Sequence, residues 1–168
     1  EALVRWQHPT KGVIPPDEFI FLAERSGLIK QLTSWVLKEA LRQARGWHLA
    51  GHDLSVAVNL SIKNLRTPLL LDQITGLLST WGVSPGRLRL EITESLIMSD
   101  PKLTIEILTQ LNLIGVCFSV DDFGTGYSSL RYLQNLPVDE IKIDKSFIIN
   151  MLIDENSLKI VRYTIELA

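Results

Sequence analysis

Cysteine occurs once in 168 residues, as Cys117. No internal disulfide can form, and the usage fits a reducing compartment. The three histidines, His8, His48 and His52, fall in no His/Cys set with zinc-ligand spacing, which removes the common zinc chemistries. No apolar run reaches the roughly 18 residues of a membrane-spanning helix, and no signal-peptide pattern opens the sequence. Charge of one sign is nowhere concentrated: 17 Lys+Arg face 19 Asp+Glu. A DNA or RNA polymer is therefore not an expected partner, nor is a broad membrane footprint. Low-complexity and linker-like stretches are missing too. With no G-x-G-x-x-G loop and no H-R-D, the "DFG" at Asp122–Gly124 is not a kinase signature. The "GTG" that overlaps it is by itself a weak phosphate-loop signal.

What is present is an ordinary globular composition, 46% hydrophobic and 21% charged, long enough for one domain with a sizeable core. Glycine and proline cut it into alternating units. "LIKQLTSWVLKEALRQARGWHLAG" carries Ile29, Leu32, Val36, Ala40, Ala44 and Trp47 at helical spacing. "LSVAVNLS" (54–61) predicts a buried strand, and "PLLLDQITGLLSTWG" a helix ended by Gly82. "RLRLEITES" (87–95) predicts a strand. The next helix has Asp100 as N-cap, Pro101 in its first turn and Gly115 at its stop. "VCFSVDD" (116–122) is a strand, "SSLRYLQNLP" a short helix closed by Pro137, and "VDEIKIDK" (138–145) a strand. The final helix, "NSLKIVRYTIELA", has Leu158, Val161 and Ile165 on one stripe. "EALVRW" at the start reads as a remnant of one more strand. Cys117 is expected in the core, Trp35 and Trp47 in helix packing, His8 in a loop, and His48 and His52 at a surface helix end.

Strand alternating with helix argues an α/β fold with a mostly parallel sheet. The predicted strands end in chemically capable residues: Asn59, Glu91, then Asp121 and Asp122, then Lys142 with Asp144. Four successive strands contributing polar groups favours one mouth of a (β/α)8 TIM-type barrel over the single switch point of an open doubly wound sheet. A full barrel takes roughly 250 residues. About five strands are counted here, and both ends look cut, so the expectation is an excerpt of a longer protein, truncated at both ends.

Glu1, Asn59, Glu91, Asp121 and Asp122 are all hard oxygen donors, which suit Mg²⁺ or Mn²⁺. Five protein ligands exceed what one Mg²⁺ usually takes, so two metals bridged by Asp121 are expected. Two such ions roughly 3.5–4 Å apart can ionise a water and stabilise an in-line phosphoryl displacement. Lys142 would be a cation at the same mouth. Taken singly, each carboxylate reads equally well as a solvated strand end, and Lys142 as a salt-bridge partner. Aligned on separate strands, they point to metal-assisted phosphodiester hydrolysis.

In order and spacing, "EALVRW", "VNLS", "LEITES", "DDFGTGYSSL" and "IKIDKSFI" resemble the EAL-domain family, and the likeness covers the whole chain. That resemblance implies a modified β/α barrel from bacterial signalling proteins that hydrolyses the second messenger cyclic di-GMP to linear pGpG with Mg²⁺ or Mn²⁺. It implies metal ligands at Glu1, Asn59, Glu91 and Asp121, with Asp122 on the second metal, and Lys142 beside the attacking water. Leu3 and Arg5 match positions that touch the dinucleotide, and Asp144 is a further site member. Glu94 matches the glutamate that holds the loop Phe123–Ser129, which couples metal binding to dimerisation in the family. GGDEF or sensory domains, a homodimer, a cytoplasmic bacterial location and a membrane-anchored parent are implied partners and settings. The family's first strand, a later metal-ligating glutamate and a glutamine near the end fall outside residues 1–168, so the isolated excerpt is expected to be inactive and poorly folded. The alternative is a catalytically silent cyclic di-GMP receptor or protein-interaction module. A metal-dependent phosphodiesterase with another substrate survives only without the resemblance.

Overall fold

The computed structural model describes residues 1–126 and 134–167. The predicted helix "SSLRYLQNLP" lies largely outside them, as do residues 127–129 of the expected loop. The chain forms two compact units, Glu1–Arg89 and Leu90–Ala168, divided within one strand of a four-stranded sheet.

In the first unit, β1 (Trp6–His8) pairs antiparallel with β2 (Gly12–Ile14), Trp6 opposite Ile14. His8 Nδ1 accepts the backbone N–H groups of Thr10 and Lys11 at 3.2 and 3.3 Å and so closes the turn. This corrects two expectations: His8 is a strand residue, and residues 1–5 of "EALVRW" are outside regular strand, although Ala2 N–H donates to the Ala57 carbonyl at 2.8 Å. Helix α1 (Pro16–Ser26) starts on a proline that needs no N–H there and stops at Gly27, whose φ of 79° only glycine adopts cheaply.

Helix α2 (Ile29–Leu49) buries Ile29, Thr33, Leu37, Ala40, Leu41 and Ala44. The buried stripe is thus rotated from the expected one: Leu32, Val36 and Trp47 sit on its margin, half-buried. Trp35, expected to pack, is 55% exposed, because two residues from Thr33 and Leu37 is about half a helical turn away from the stripe. Strand β3 (Val56–Asn59) buries Val56 and Val58 and ends on exposed Asn59. Helix α3 (Ile62–Leu65) follows, then α4 (Leu70–Trp81), with Leu70, Ile74 and Leu78 at spacing i, i+4, i+8, closed by Gly82 as expected.

Strand β4 (Leu88–Thr93) carries the division between the units. It runs directly into α5 (Glu94–Ser99), which Thr93 caps by accepting the Leu96 N–H at 3.3 Å. Glu94 therefore begins a helix and does not end the strand, as the expected strand 87–95 had it. Asp100 caps α6 (Pro101–Leu113) with Pro101 at its first position, as the sequence indicated. Strands β5 (Cys117–Phe123) and β6 (Glu140–Ile143) are parallel. They are followed by α7 (Lys145–Asn150) and α8 (Glu155–Leu167). The sheet order is β3-β4-β5-β6, a sequential α/β arrangement flanked by helices. In β5, Phe118, Ser119 and Val120 are fully buried, whereas Cys117, expected in the core, stands half-buried at the strand's start. On α8, Ser157, Val161 and Thr164 make the buried stripe; Ile165, expected there, lies past its edge and is 66% exposed.

Candidate active site

Register decides the chemistry of β5. Val120 pairs with Ile141 and Phe123 with Ile143, so three steps along β5 match two along β6. The extra residue is a β-bulge, and Asp121 and Asp122 are the pair inside it, facing Lys142. Adjacent residues in a regular strand point to opposite faces. Here Asp122 takes φ 53°, a left-handed conformation that aspartate tolerates better than most residues. The bulge breaks the alternation and gives the two carboxylates separate partners.

Asp121 turns to Lys142, its Oδ2 lying 4.0 Å from Nζ. The same ammonium makes a short ion pair with Glu91 Oε1, whose carboxylate is 1% exposed at the middle of β4. Lys142 thus serves two carboxylates at once, one buried and one half-open. A buried carboxylate is costly without such a counter-charge.

Asp122 lies in the field of Asp144 as well as of Asp121. Partial desolvation first, then the negative charges of Asp121 and Asp144, raise the Asp122 pKa above its ordinary value, and Lys142 opposes the rise. Asp144 moves the other way, lowered first by its hydrogen bonds from the Ser146 hydroxyl and N–H. The two acids differ because one is hydrogen-bonded in its charged form and the other is partly desolvated and crowded by negative charge.

Glu94 occupies a third position. Its Oε2 accepts the backbone N–H groups of Gly124 and Gly126, each at 3.1 Å. Gly126 packs closely on Glu94: a Cβ there would stand 3.0 Å from the Glu94 carboxyl carbon, so that carboxylate would have to shift. Glu94 is 2% exposed, so the start of the loop after the aspartates is tied to a buried anion. The glycines of "GTG" allow that approach; the motif was weak as a phosphate cradle but cradles a carboxylate of the chain itself.

In the first unit, Asn59 Nδ2 donates to Glu1 Oε1 at 2.8 Å, so these two expected ligands meet in solvent. Leu3 is 55% exposed and Arg5 donates to the neighbouring Val4 carbonyl. Among the described residues, no group of three or more His, Cys, Asp or Glu side chains is arranged to hold a metal ion. Sequence reasoning missed the bulge, and with it the divergence of Asp121 and Asp122. The doubled aspartate before "FG" was its one visible trace.

The family model described as "EAL domain" matches residues 1–168. The chain is 47% identical over its full length to "Cyclic di-GMP phosphodiesterase NbdA" of Pseudomonas aeruginosa, of which it covers 22%. It is 48% identical over 96% of its length to "Bifunctional diguanylate cyclase/cyclic di-GMP phosphodiesterase MucR" of the same organism, covering 24%. The chain thus spans about a quarter or less of these relatives. Among solved structures, "PaMucR Phosphodiesterase, c-di-GMP complex" superposes with a TM-score of 0.94 at 46% identity, over 98% of this chain and 67% of that one. "Crystal structure of FimX EAL domain from Pseudomonas aeruginosa bound to c-di-GMP" gives 0.85 at 27% identity, over 98% and 65%.

Proposed function

The chain belongs to the EAL-domain family, and from that membership we propose that, in the full-length protein, it hydrolyses cyclic di-GMP to linear pGpG. The observation that carries the reading is Lys142, whose ammonium reaches both buried Glu91 and half-open Asp121. That arrangement supplies a cation and an accessible carboxylate at one place, as phosphodiester hydrolysis needs.

The donor set fits a divalent metal. Glu1, Asn59, Glu91, Asp121 and Asp122 offer only oxygen ligands of the kind Mg²⁺ and Mn²⁺ prefer, and Lys142 already fills the role of counter-cation for two of them. When bound, two such ions would polarise a phosphoryl oxygen and lower the pKa of a water. The chain's own groups do the rest. Lys142 orients the water and offsets charge on the phosphate. Asp121 receives the water's proton. The water oxygen bonds to phosphorus as the bond to the ribose 3′ oxygen breaks; that oxygen keeps the electron pair and takes a proton from solvent to become the free hydroxyl of pGpG. Glu94 holds Gly124 and Gly126, and so the chain that leaves Asp122. Leu3, Arg5 and Asp144 are assigned to the dinucleotide.

Residues 1–168 are a partial domain in this reading, its barrel completed by sequence on either side. In this reading GGDEF or sensory domains accompany it, and it pairs as a homodimer; the MucR relative is named as bifunctional, a diguanylate cyclase as well as a cyclic di-GMP phosphodiesterase. Among the described residues no helix is long and apolar enough to cross a membrane; a cytoplasmic bacterial site with a membrane-anchored parent is the setting we assign. The test is Mn²⁺-dependent conversion of cyclic di-GMP to pGpG by the full-length protein. Loss of turnover in Lys142→Ala is expected, and unchanged turnover refutes the role given to that residue.

A further inference from the structure

We propose that Phe147 is a positioning residue for this reaction, acting through Gly124 on the bulge that carries Asp122; the proposal rests on the reading of the site given above. Gly124 has φ 99°, and a Cβ built on it would stand 2.8 Å from Phe147 Cε2 and 3.0 Å from Ile160 Cγ2. Non-bonded contacts of that length are repulsive, so only a bare α-carbon fits against the ring. On its other side the Gly124 N–H is held by Glu94 Oε2. The residue is therefore clamped between a buried carboxylate and an aromatic edge, two positions after Asp122.

The ring is itself located by the site. Asp144 caps α7 by accepting the Ser146 N–H at 2.9 Å, and the Phe147 N–H donates to the Asp144 carbonyl at 3.2 Å. Asp144 N–H donates in turn to the Phe123 carbonyl at 3.4 Å. One short circuit thus runs from the end of β5 through Asp144 to Phe147 and back to Gly124. Phe147 is only half-buried, so filling the core is not its main contribution. A flexible aliphatic side chain would fill the space without presenting a rigid edge to the glycine.

The experiment uses the full-length protein with Phe147→Leu, Phe147→Ala and Phe147→Tyr. Amide hydrogen exchange at Gly124 and Gly126 reports the clamp directly, whatever the activity. Exchange should quicken about tenfold at both amides in the Leu and Ala variants and stay near wild type in Tyr, which keeps the ring edge. In parallel, kcat for cyclic di-GMP with Mn²⁺ should fall about tenfold in Leu and Ala, with KM changed less than about twofold. Wild-type protection at both glycines in Leu and Ala overturns the proposal. So does a loss of protection spread evenly over β5 and β6, which would mark a general packing role. Wild-type protein that turns over no cyclic di-GMP sinks the phosphodiesterase reading alone, and the exchange measurement still decides the clamp.

Discussion

Two kinds of polar side-chain set stand in this molecule, one in each unit. In the first, Glu1 and Asn59 are exposed, joined to each other by one 2.8 Å hydrogen bond, and Glu1 sits on irregular backbone. In the second, Glu91 and Glu94 are almost fully buried, three residues apart, within β4 and at the start of α5. Each buried acid has its donors: the Lys142 ammonium for Glu91, two backbone N–H groups for Glu94. Exposed groups keep most of their hydration, so holding them in place costs the fold little. Buried ones are bound into the fold, so their removal should cost stability as well as chemistry.

Breaking the buried ion pair should have the largest effect. Lys142→Met leaves Glu91 without its ammonium and should cost about 3 kcal/mol of unfolding free energy, besides lowering turnover at least a hundredfold. Denaturant melts and steady-state rates on the full-length protein check both. Next comes Glu94→Ala, which frees the N–H groups of Gly124 and Gly126 and should cost about 1–2 kcal/mol, with lost protection of those two amides. Glu1→Ala sharpens the contrast from the exposed side. Its stability should change by a few tenths of a kcal/mol at most, while Mn²⁺-dependent turnover collapses; an equal loss of both would erase the distinction.

The smallest effect concerns an acid outside either set. Asp154 accepts from the Ser157 N–H at 2.8 Å and from its hydroxyl at the start of α8, which lowers its pKa. A depressed folded pKa gives stability that is present above the unfolded value of about 3.9 and is lost as pH falls through the folded one. The gap in melting temperature between wild type and Asp154→Ala should therefore be open at neutral pH and close below about pH 4. A gap that persists in acid would show that the hydrogen bonds do not depend on the charge.

Legibility differed by residue. Asp100 and Pro101 at the head of α6 and Gly82 at the end of α4 were readable, because capping is decided within a few residues of backbone. The burial of Glu91 and Glu94 was not, because it depends on Lys142, 51 positions away from Glu91, and on glycines 30 and 32 positions from Glu94. Trp35 and Ile165 were misplaced for a related cause. Apolar spacing identifies a helix but not which way its stripe turns, since that depends on what it packs against. Residues 1–5 read as strand by composition, yet regular pairing begins at Trp6, where Ile14 is available opposite.

By itself, the sequence determined the alternating α/β order and the family, since each is carried by residue identity and local spacing. Tertiary structure alone decided the bulge at Asp121–Asp122, the left-handed turn of Asp122, the sharing of Lys142 between Glu91 and Asp121, and the clamp on Gly124. The physical reason is that these depend on register and on contacts between strands and helices far apart in the chain. A doubled aspartate can be read in one dimension; where its two carboxylates point is set by the strand beside it.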